Sequence, residues 1–288
     1  MKKPVEPREL ILALGFPADR ADIIHAFVGG SALHGVKLQG TDDTDVYGIY
    51  IENPWLALGL ESLEHFVAST SPDSRRNLAG DVDIICYSLR RWASLAAKGN
   101  PTILHSLFTG ADEGETEWSG IIARREIFLA RTHARKYFGY ADAQLKRMCG
   151  QRGKGKHGQR PEIIGKFGYD TKAAMHTLRL LYEGIELMKD HWVTLPRASR
   201  ERELLLAVRR GEWSEERVIR HANRLMNSLQ ESAEASSLPE TVDVIALSKL
   251  VGEIYLQHWE NSKRGSHGQC SPDRGPFPMA TNPQSANH

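Results

Sequence analysis

Val28-Gly29-Gly30-Ser31-Ala32-Leu33-His34-Gly35, followed about ten residues later by Thr41-Asp42-Asp43-Thr44-Asp45-Val46-Tyr47-Gly48-Ile49-Tyr50, decides how the rest of this chain is read. The run Ile23-Ile24-His25-Ala26-Phe27-Val28 is apolar and β-prone, which predicts a buried strand. A strand that stops at Gly-Gly-Ser and resumes as a short helical turn leaves backbone N–H groups pointing outward. Glycines let a ligand approach the main chain closely, and Ser31 suits a helix N-cap. Together these features predict an anion pocket of the kind that most often takes phosphate. Asp43 and Asp45 stand two apart at the head of a second strand, expected over Val46 to Glu52. Their side chains therefore leave one face, with Thr44 on the other. Adjacent carboxylates repel unless a cation lies between them, and oxygen ligands of this type suit Mg²⁺ held jointly with substrate phosphates. A phosphate pocket beside such a site points to phosphoryl or nucleotidyl transfer with two metal ions.

The order Gly-Ser, about a dozen residues, then Asp-x-Asp at a strand head resembles the signature of the polymerase-β-type nucleotidyltransferase superfamily. The longer pattern, Gly30-Ser31-Ala32-Leu33-His34-Gly35 then Asp43-Thr44-Asp45-Val46-Tyr47-Gly48-Ile49-Tyr50-Ile51, is similar to its branch of RNA-repair-pathway nucleotidyltransferases. The resemblance spans about residues 6 to 260. It implies an α+β fold, a small mixed β-sheet catalytic core with flanking helices, followed by an all-helical domain. It also implies a third carboxylate on the strand beside the Asp-x-Asp strand. Val82-Asp83-Ile84-Ile85-Cys86-Tyr87 reads as that strand, and an aspartate heading a buried run needs a partner. Asp83 is the preferred third carboxylate, and Asp81, on the same side of the strand, is its rival.

Bulk composition narrows the class. The formal net charge is +1, with apolar and charged fractions typical of a globular protein, so no global basic field announces nucleic acid. Three cysteines, Cys86, Cys149 and Cys270, lack metal spacing and fit a reducing compartment. No apolar run reaches membrane-spanning length, and no signal-peptide core follows Met1-Lys2-Lys3-Pro4. The expectation is a cytoplasmic protein with no membrane partner.

Along the chain, Glu6 to Leu14 predicts a helix, Trp55 to Leu60 a short helical segment and His65 to Ser69 a strand. Arg75 and Arg76 lie in a polar loop. Tyr87 to Leu104 predicts a capped helix, a stop at Gly99 and a second helix start. Its Gly99-Asn100-Pro101 looks like the family's motif, although His105 stands where the family pattern would have Glu, a departure expected to lie far from the metal site. Helical periodicity takes over from about Thr116, giving expected units of 1–115 (catalytic), 116–261 (helical, substrate- and nucleotide-binding) and 262–288 (disordered tail). Ile121 to Met148 predicts one or two helices with Phe128, Tyr137, Phe138 and Tyr140 in the core. Gly150 to Pro161, with Arg152, Lys154, Lys156 and Arg160, is a mobile basic loop, suited equally to clamping RNA or triphosphate and to serving as a solvated linker.

Phe167 to Lys189 predicts one amphipathic helix. Ala174, Leu178, Leu181, Ile185 and Met188 form its apolar stripe. Lys172, His176, Arg179 and Glu183 fall on the opposite stripe, within about 60° at 100° per residue. From periodicity alone that stripe is a wet face. The resemblance of Tyr169-Asp170-x-Lys172-x-x-x-His176-x-x-Arg179-Leu180 to the family's helical motif makes it a triphosphate-facing one. Further helices are expected over Arg200 to Arg209, Glu215 to Ala233 and Ser237 to Trp259.

The implied reaction moves a nucleoside monophosphate from an NTP, ATP by preference, to an acceptor hydroxyl of RNA. Asp43, Asp45 and Asp83 would be catalytic and hold two Mg²⁺ ions, or Mn²⁺. Gly30, Ser31, Lys172, His176 and Arg179 would bind the nucleotide. Two alternatives remain: an antitoxin-like AMP transferase acting on a protein or small molecule, and a nucleotide-binding regulator without catalysis.

Overall fold

In the computed structural model a helix α1 (Pro7–Ala13) precedes strand β1 (Ala21–Val28), a single helical turn α2 (Gly30–Leu33) and strand β2 (Thr44–Glu52). There follow α3 (Pro54–Leu58), β3 (His65–Ser69), β4 (Val82–Ser88), α4 (Leu89–Ala97) and α5 (Pro101–Leu104). The helical part comprises α6 (Thr116–Ile122), α7 (His133–Met148), α8 (Pro161–Phe167), α9 (Thr171–Asp190), α10 (Ser199–Arg209), α11 (Glu215–Ala235) and α12 (Val244–Ser266). The structure describes residues 6–38, 40, 43–71, 80–150 and 160–266. Thr41, Asp42, Arg75, Arg76, Arg152, Lys154, Lys156, Cys270 and the tail expected beyond the last helix therefore lie outside the described residues, apart from the stretch 262–266.

The strands lie in the order β1-β2-β4-β3. β1 runs antiparallel to β2, β2 parallel to β4, and β3 antiparallel to β4. The sheet is therefore mixed, as the sequence predicts, and both its faces are covered. Val46, Tyr50, Ile84 and Cys86 pack on one side against Ile11 of α1 and Phe16. Cys86 is fully buried, and burial pushes its thiol up to about 12, so it is an inert core side chain. Ile49 and Ile51 point the other way, into a larger core shared with the helices. With side chains alternating along a strand, Asp45 and Tyr47 share that second face.

One continuous core runs from Ile24, Ile49 and Ile51 through Trp92 and Trp118 to Leu178 and Tyr255. Trp118 of α6 stacks on His25 of β1, with ring centroids 4.4 Å apart. α9 is the axis of the helical part and is packed by α7, α10 and α11. Gly184 lets α7 and α11 pack closely on α9, since a Cβ there would come within 2.9 Å of Tyr137 and 3.0 Å of Leu229.

Several elements differ from expectation, each for a local reason. The helix expected from Phe167 breaks there, because Gly168 adopts a left-handed conformation and Asp170 caps a new helix by accepting from the Ala173 N–H. Phe138 and Tyr140 are 41% and 45% exposed rather than core, lying on the outer side of α7. The last helix starts at Val244 rather than Ser237 and extends through Ser266, taking in residues assigned to the tail.

α12 closes back onto the sheet. Its Tyr255 hydroxyl donates to the carboxylate of Glu52, which is 1% exposed, and Trp259 Nε1 donates to the Glu52 carbonyl at 3.0 Å. Tyr255→Phe removes a donor from a buried carboxylate and should cost about 1–3 kcal/mol. A lower urea midpoint at unchanged slope is the expected reading.

Candidate active site

The site is built on the registered pair β2 and β4. Asp45 and Asp83 are Cα partners in this parallel ladder, so their side chains rise side by side on the face toward the helices. Asp43 immediately precedes β2 and is partly buried. Asp81 stands just ahead of β4, where its carbonyl accepts from the Thr44 N–H at 2.8 Å; the residue opposite Asp45 is Asp83. Ser69 on β3 donates to Asp83 Oδ1 at 2.6 Å and so orients that carboxylate.

The Gly-Gly-Ser turn adjoins the same pair. Gly29 N–H donates to the Asp45 carbonyl at 2.8 Å. Gly30 has φ +57, and a Cβ built there would meet Asp45 Oδ2 at 1.8 Å, so the carboxylate lies directly on the glycine backbone. The N-cap position of α2 is Gly29, and Ser31 falls within the turn rather than capping it. Gly30 and Ser31 are both partly buried.

Tyr47 reports the field on this face. Its hydroxyl is pushed well above the usual tyrosine range, first by burial, then by Asp45 and Tyr87, with Asp83 adding to the shift and Arg179 opposing it. Two carboxylates and one guanidinium from α9 thus act on one phenol. The donor set of Asp43, Asp45 and Asp83 is all hard carboxylate oxygen, which fits Mg²⁺.

Lys172, His176 and Arg179 occupy successive turns of α9. His176 is partly buried and held well below the ordinary histidine value by burial, then by Arg179, Lys172, Arg160 and Arg209. Cations from three segments therefore surround it. Arg160 pairs with the fully buried Asp170 at 3.0 Å, and Arg209 donates to the Val36 carbonyl at 2.6 Å.

The polar stripe of α9 is not a wet face. Arg179 is 8% exposed and Glu183 is fully buried. Arg179 Nη1 donates to both Glu183 oxygens, at 2.9 and 3.1 Å, and to His34 Nε2 at 2.8 Å. His105 Nε2 donates to Glu183 Oε2 at 3.1 Å. Burial alone would raise the Glu183 carboxyl, but Arg179, His105 and His34 outweigh it and hold the group ionised. Burial and Arg179, opposed by Glu183, lower His34 to about 3, so it is neutral.

His105 is thus one side chain away from Arg179. Among the described residues, the set of three metal-capable side chains whose ligand atoms lie within 4.8 Å of one another is His34, His105 and Glu183, not the aspartates. The sequence singled out Arg179 but gave Glu183, His34 and His105 no role. The signal available was Glu183, four residues beyond Arg179 on one helix face.

Acidic residues registered on a parallel strand pair, a Gly-Gly-Ser turn packed on one of them, and cations along α9 are the features that resemblance to polymerase-β-type nucleotidyltransferases implies. A family model, RlaP, described as the RNA repair pathway DNA polymerase beta family, matches residues 15–252. The chain belongs to that family. Comparison with curated proteins finds no match. A solved nucleotidyltransferase-like protein from Exiguobacterium sibiricum is similar at 13% identity over 88% of this chain and 78% of its own, with a TM-score of 0.29, too distant to carry any argument.

Two outcomes follow from this geometry. Gly30→Ala must displace the Asp45 carboxylate and strain a left-handed backbone by about 1–2 kcal/mol. The variant should fold with a slightly lowered melting temperature and lose nucleotide-dependent activity. The second concerns pH. A folded-state pKa of about 3 for His34 against 6.5 means that its neutral form contributes stability at and above neutral pH. That contribution is lost as pH falls from about 6.5 toward the folded value. His133, His176 and His221 are shifted in the same direction and share the loss. His34→Gln, which cannot titrate, should show a shallower fall in urea stability over the acid range.

Proposed function

We propose that this protein is an Mg²⁺-dependent nucleotidyltransferase that joins a nucleoside monophosphate from an NTP to an acceptor hydroxyl on RNA. The observation that carries the reading is Asp45 in register with Asp83, with its carboxylate lying on the Gly30 backbone. Family membership supports the RNA acceptor, and ATP is the first donor to test.

In the reaction the acceptor oxygen forms a bond to the α-phosphorus while the bond from that phosphorus to the bridging oxygen breaks. Pyrophosphate leaves with that electron pair. Asp83 takes the acceptor proton on the carboxylate that Ser69 orients. Asp43, Asp45 and Asp83 would hold two Mg²⁺ ions, with Mn²⁺ able to replace them. Bound there, the ions neutralise the triphosphate and lower the pKa of the acceptor hydroxyl. Gly30 and Ser31 orient the β- and γ-phosphates through backbone N–H groups and the Ser31 hydroxyl. Lys172, His176 and Arg179 supply a polar and cationic cover from α9, His176 in its neutral form as a hydrogen-bonding group.

The test is incubation with Mg²⁺ and each labelled NTP in turn, against RNA, protein and no acceptor. Labelled RNA is expected, with pyrophosphate released and the RNA KM rising steeply with salt. Asp43→Ala and Asp45→Asn should reduce labelling to background without unfolding the protein. A labelled protein in place of RNA would assign the AMP-transferase reading. NTP binding with no pyrophosphate release in any arm would leave a regulator.

A further inference from the structure

The buried group behind the serine turn is arranged around a guanidinium. His34 caps the C-terminal end of α2 and has its Nε2 2.8 Å from Arg179 Nη1. Arginine only donates, so this nitrogen must accept and carries no proton. The neutral ring then carries its proton on Nδ1, which lies 3.1 Å from Glu183 Oε1, though off the line of a hydrogen bond. Glu183 takes Nη1 on both oxygens and His105 Nε2 on one of them. Both hydrogens of Arg179 Nη1 are therefore committed, one to each partner. Its Nε is buried without a hydrogen-bond acceptor among the described residues, an uncommon condition that calls for a reason.

A set of two histidines and a carboxylate would suit a transition metal, but here the place between His34 and Glu183 is filled by a tethered cation. The planar guanidinium, fixed along one edge, can turn only its other edge toward an incoming anion. Arg179 also acts electrostatically on Tyr47, whose ring lies against Gly29 of the serine turn. Its bond to His34, the C-cap of α2, sets the held arginine beside the serine turn.

We infer that His34, Glu183 and His105 are positioning residues that set Arg179 against the β- and γ-phosphates of the nucleotide. This rests on the nucleotidyltransferase reading above. A guanidinium held in advance loses less freedom on binding, so the cluster contributes to triphosphate affinity and not to affinity for the monophosphate.

The test compares His34→Leu, His34→Asn and His34→Gln. Leucine keeps the bulk and loses the acceptor, asparagine offers an amide one methylene too short, and glutamine restores an acceptor at about the reach of Nε2. Each is titrated with the NTP, as a non-hydrolysable α,β-bridged analogue, and with the matching NMP, and KM and kcat are read with labelled NTP. His34→Leu and His34→Asn should weaken NTP binding by about tenfold and raise KM more than they lower kcat, with NMP affinity unchanged. His34→Gln should recover most of the loss.

A merely structural role would weaken NTP and NMP together, and that result overturns the inference. So does wild-type NTP affinity in His34→Leu. If the leucine variant fails to fold, equal NTP-to-NMP ratios in the asparagine and glutamine variants overturn it instead. Zinc retained at one equivalent by the wild-type protein after chelation, and lost in Glu183→Gln, would show a metal site in place of an arginine cradle and would also overturn it. Wild-type protein that binds no NTP at all sinks the nucleotidyltransferase reading, and this inference with it. Normal wild-type binding with indifferent His34 variants sinks this inference alone.

Discussion

A carboxylate with no solvent exposure, that of Glu183, is the constraint from which the rest of the arrangement follows. An isolated buried charge costs several kcal/mol, so it must be neutralised and hydrogen-bonded where it sits. Its surroundings come from three parts of the chain: Arg179 from the preceding turn of α9 and His105 from the segment after Gly99-Asn100-Pro101 donate to it, and His34, at the exit of the serine turn, is bound to the same Arg179. Buried ion pairs add little net stability over well-packed apolar groups. Their weight here lies in geometry, because only one docking of α9 against the sheet satisfies all three at once.

Main-chain contacts repeat the same restriction. The Arg197 N–H donates to the His34 carbonyl at 3.3 Å, and Arg209 Nη1 donates to the Val36 carbonyl. At its other end the turn is held by the Gly29 bond to Asp45. A short segment with little regular structure of its own is thus pinned to the acidic strand on one side and to the cationic helices on the other. This is how a flexible glycine sequence becomes a rigid part of a site.

Much of this was legible in the sequence, and the limits are physical. The strands announced themselves through apolar runs, and the turn through Gly-Gly-Ser, because those signals are local. The parallel pairing that sets Asp45 opposite Asp83 is not local, and only the family resemblance supplied it. Periodicity gave the polar stripe of α9 its angle correctly, but a helical wheel cannot say whether its neighbour is water or protein. Arg179 and Glu183 proved buried for that reason. The break at Gly168 escaped notice because a one-turn interruption barely shifts the apolar phase across it. His105 was the least readable, since its partner lies 78 residues away and its chemistry differs from the family pattern at that position.

The near-zero net charge, which excluded a global basic field, conceals a local separation of charge. Carboxylates stand together on β2 and β4, while Arg160, Lys172, Arg179 and Arg209 gather round His176 on the facing helices. Each group alone would be destabilised by its own like charges. The two groups create local fields of opposite sign without a large net charge, and on the proposed function a substrate that brings both metal cations and phosphate anions is attracted by both. On the proposed function the site is matched to the metal–triphosphate complex better than to either component, because each half attracts the opposite charge of that complex. Arg179, committed through Nη1 to Glu183 and His34, cannot swing across to neutralise Asp45 and Asp83, which on the proposed function keeps those carboxylates for the metal.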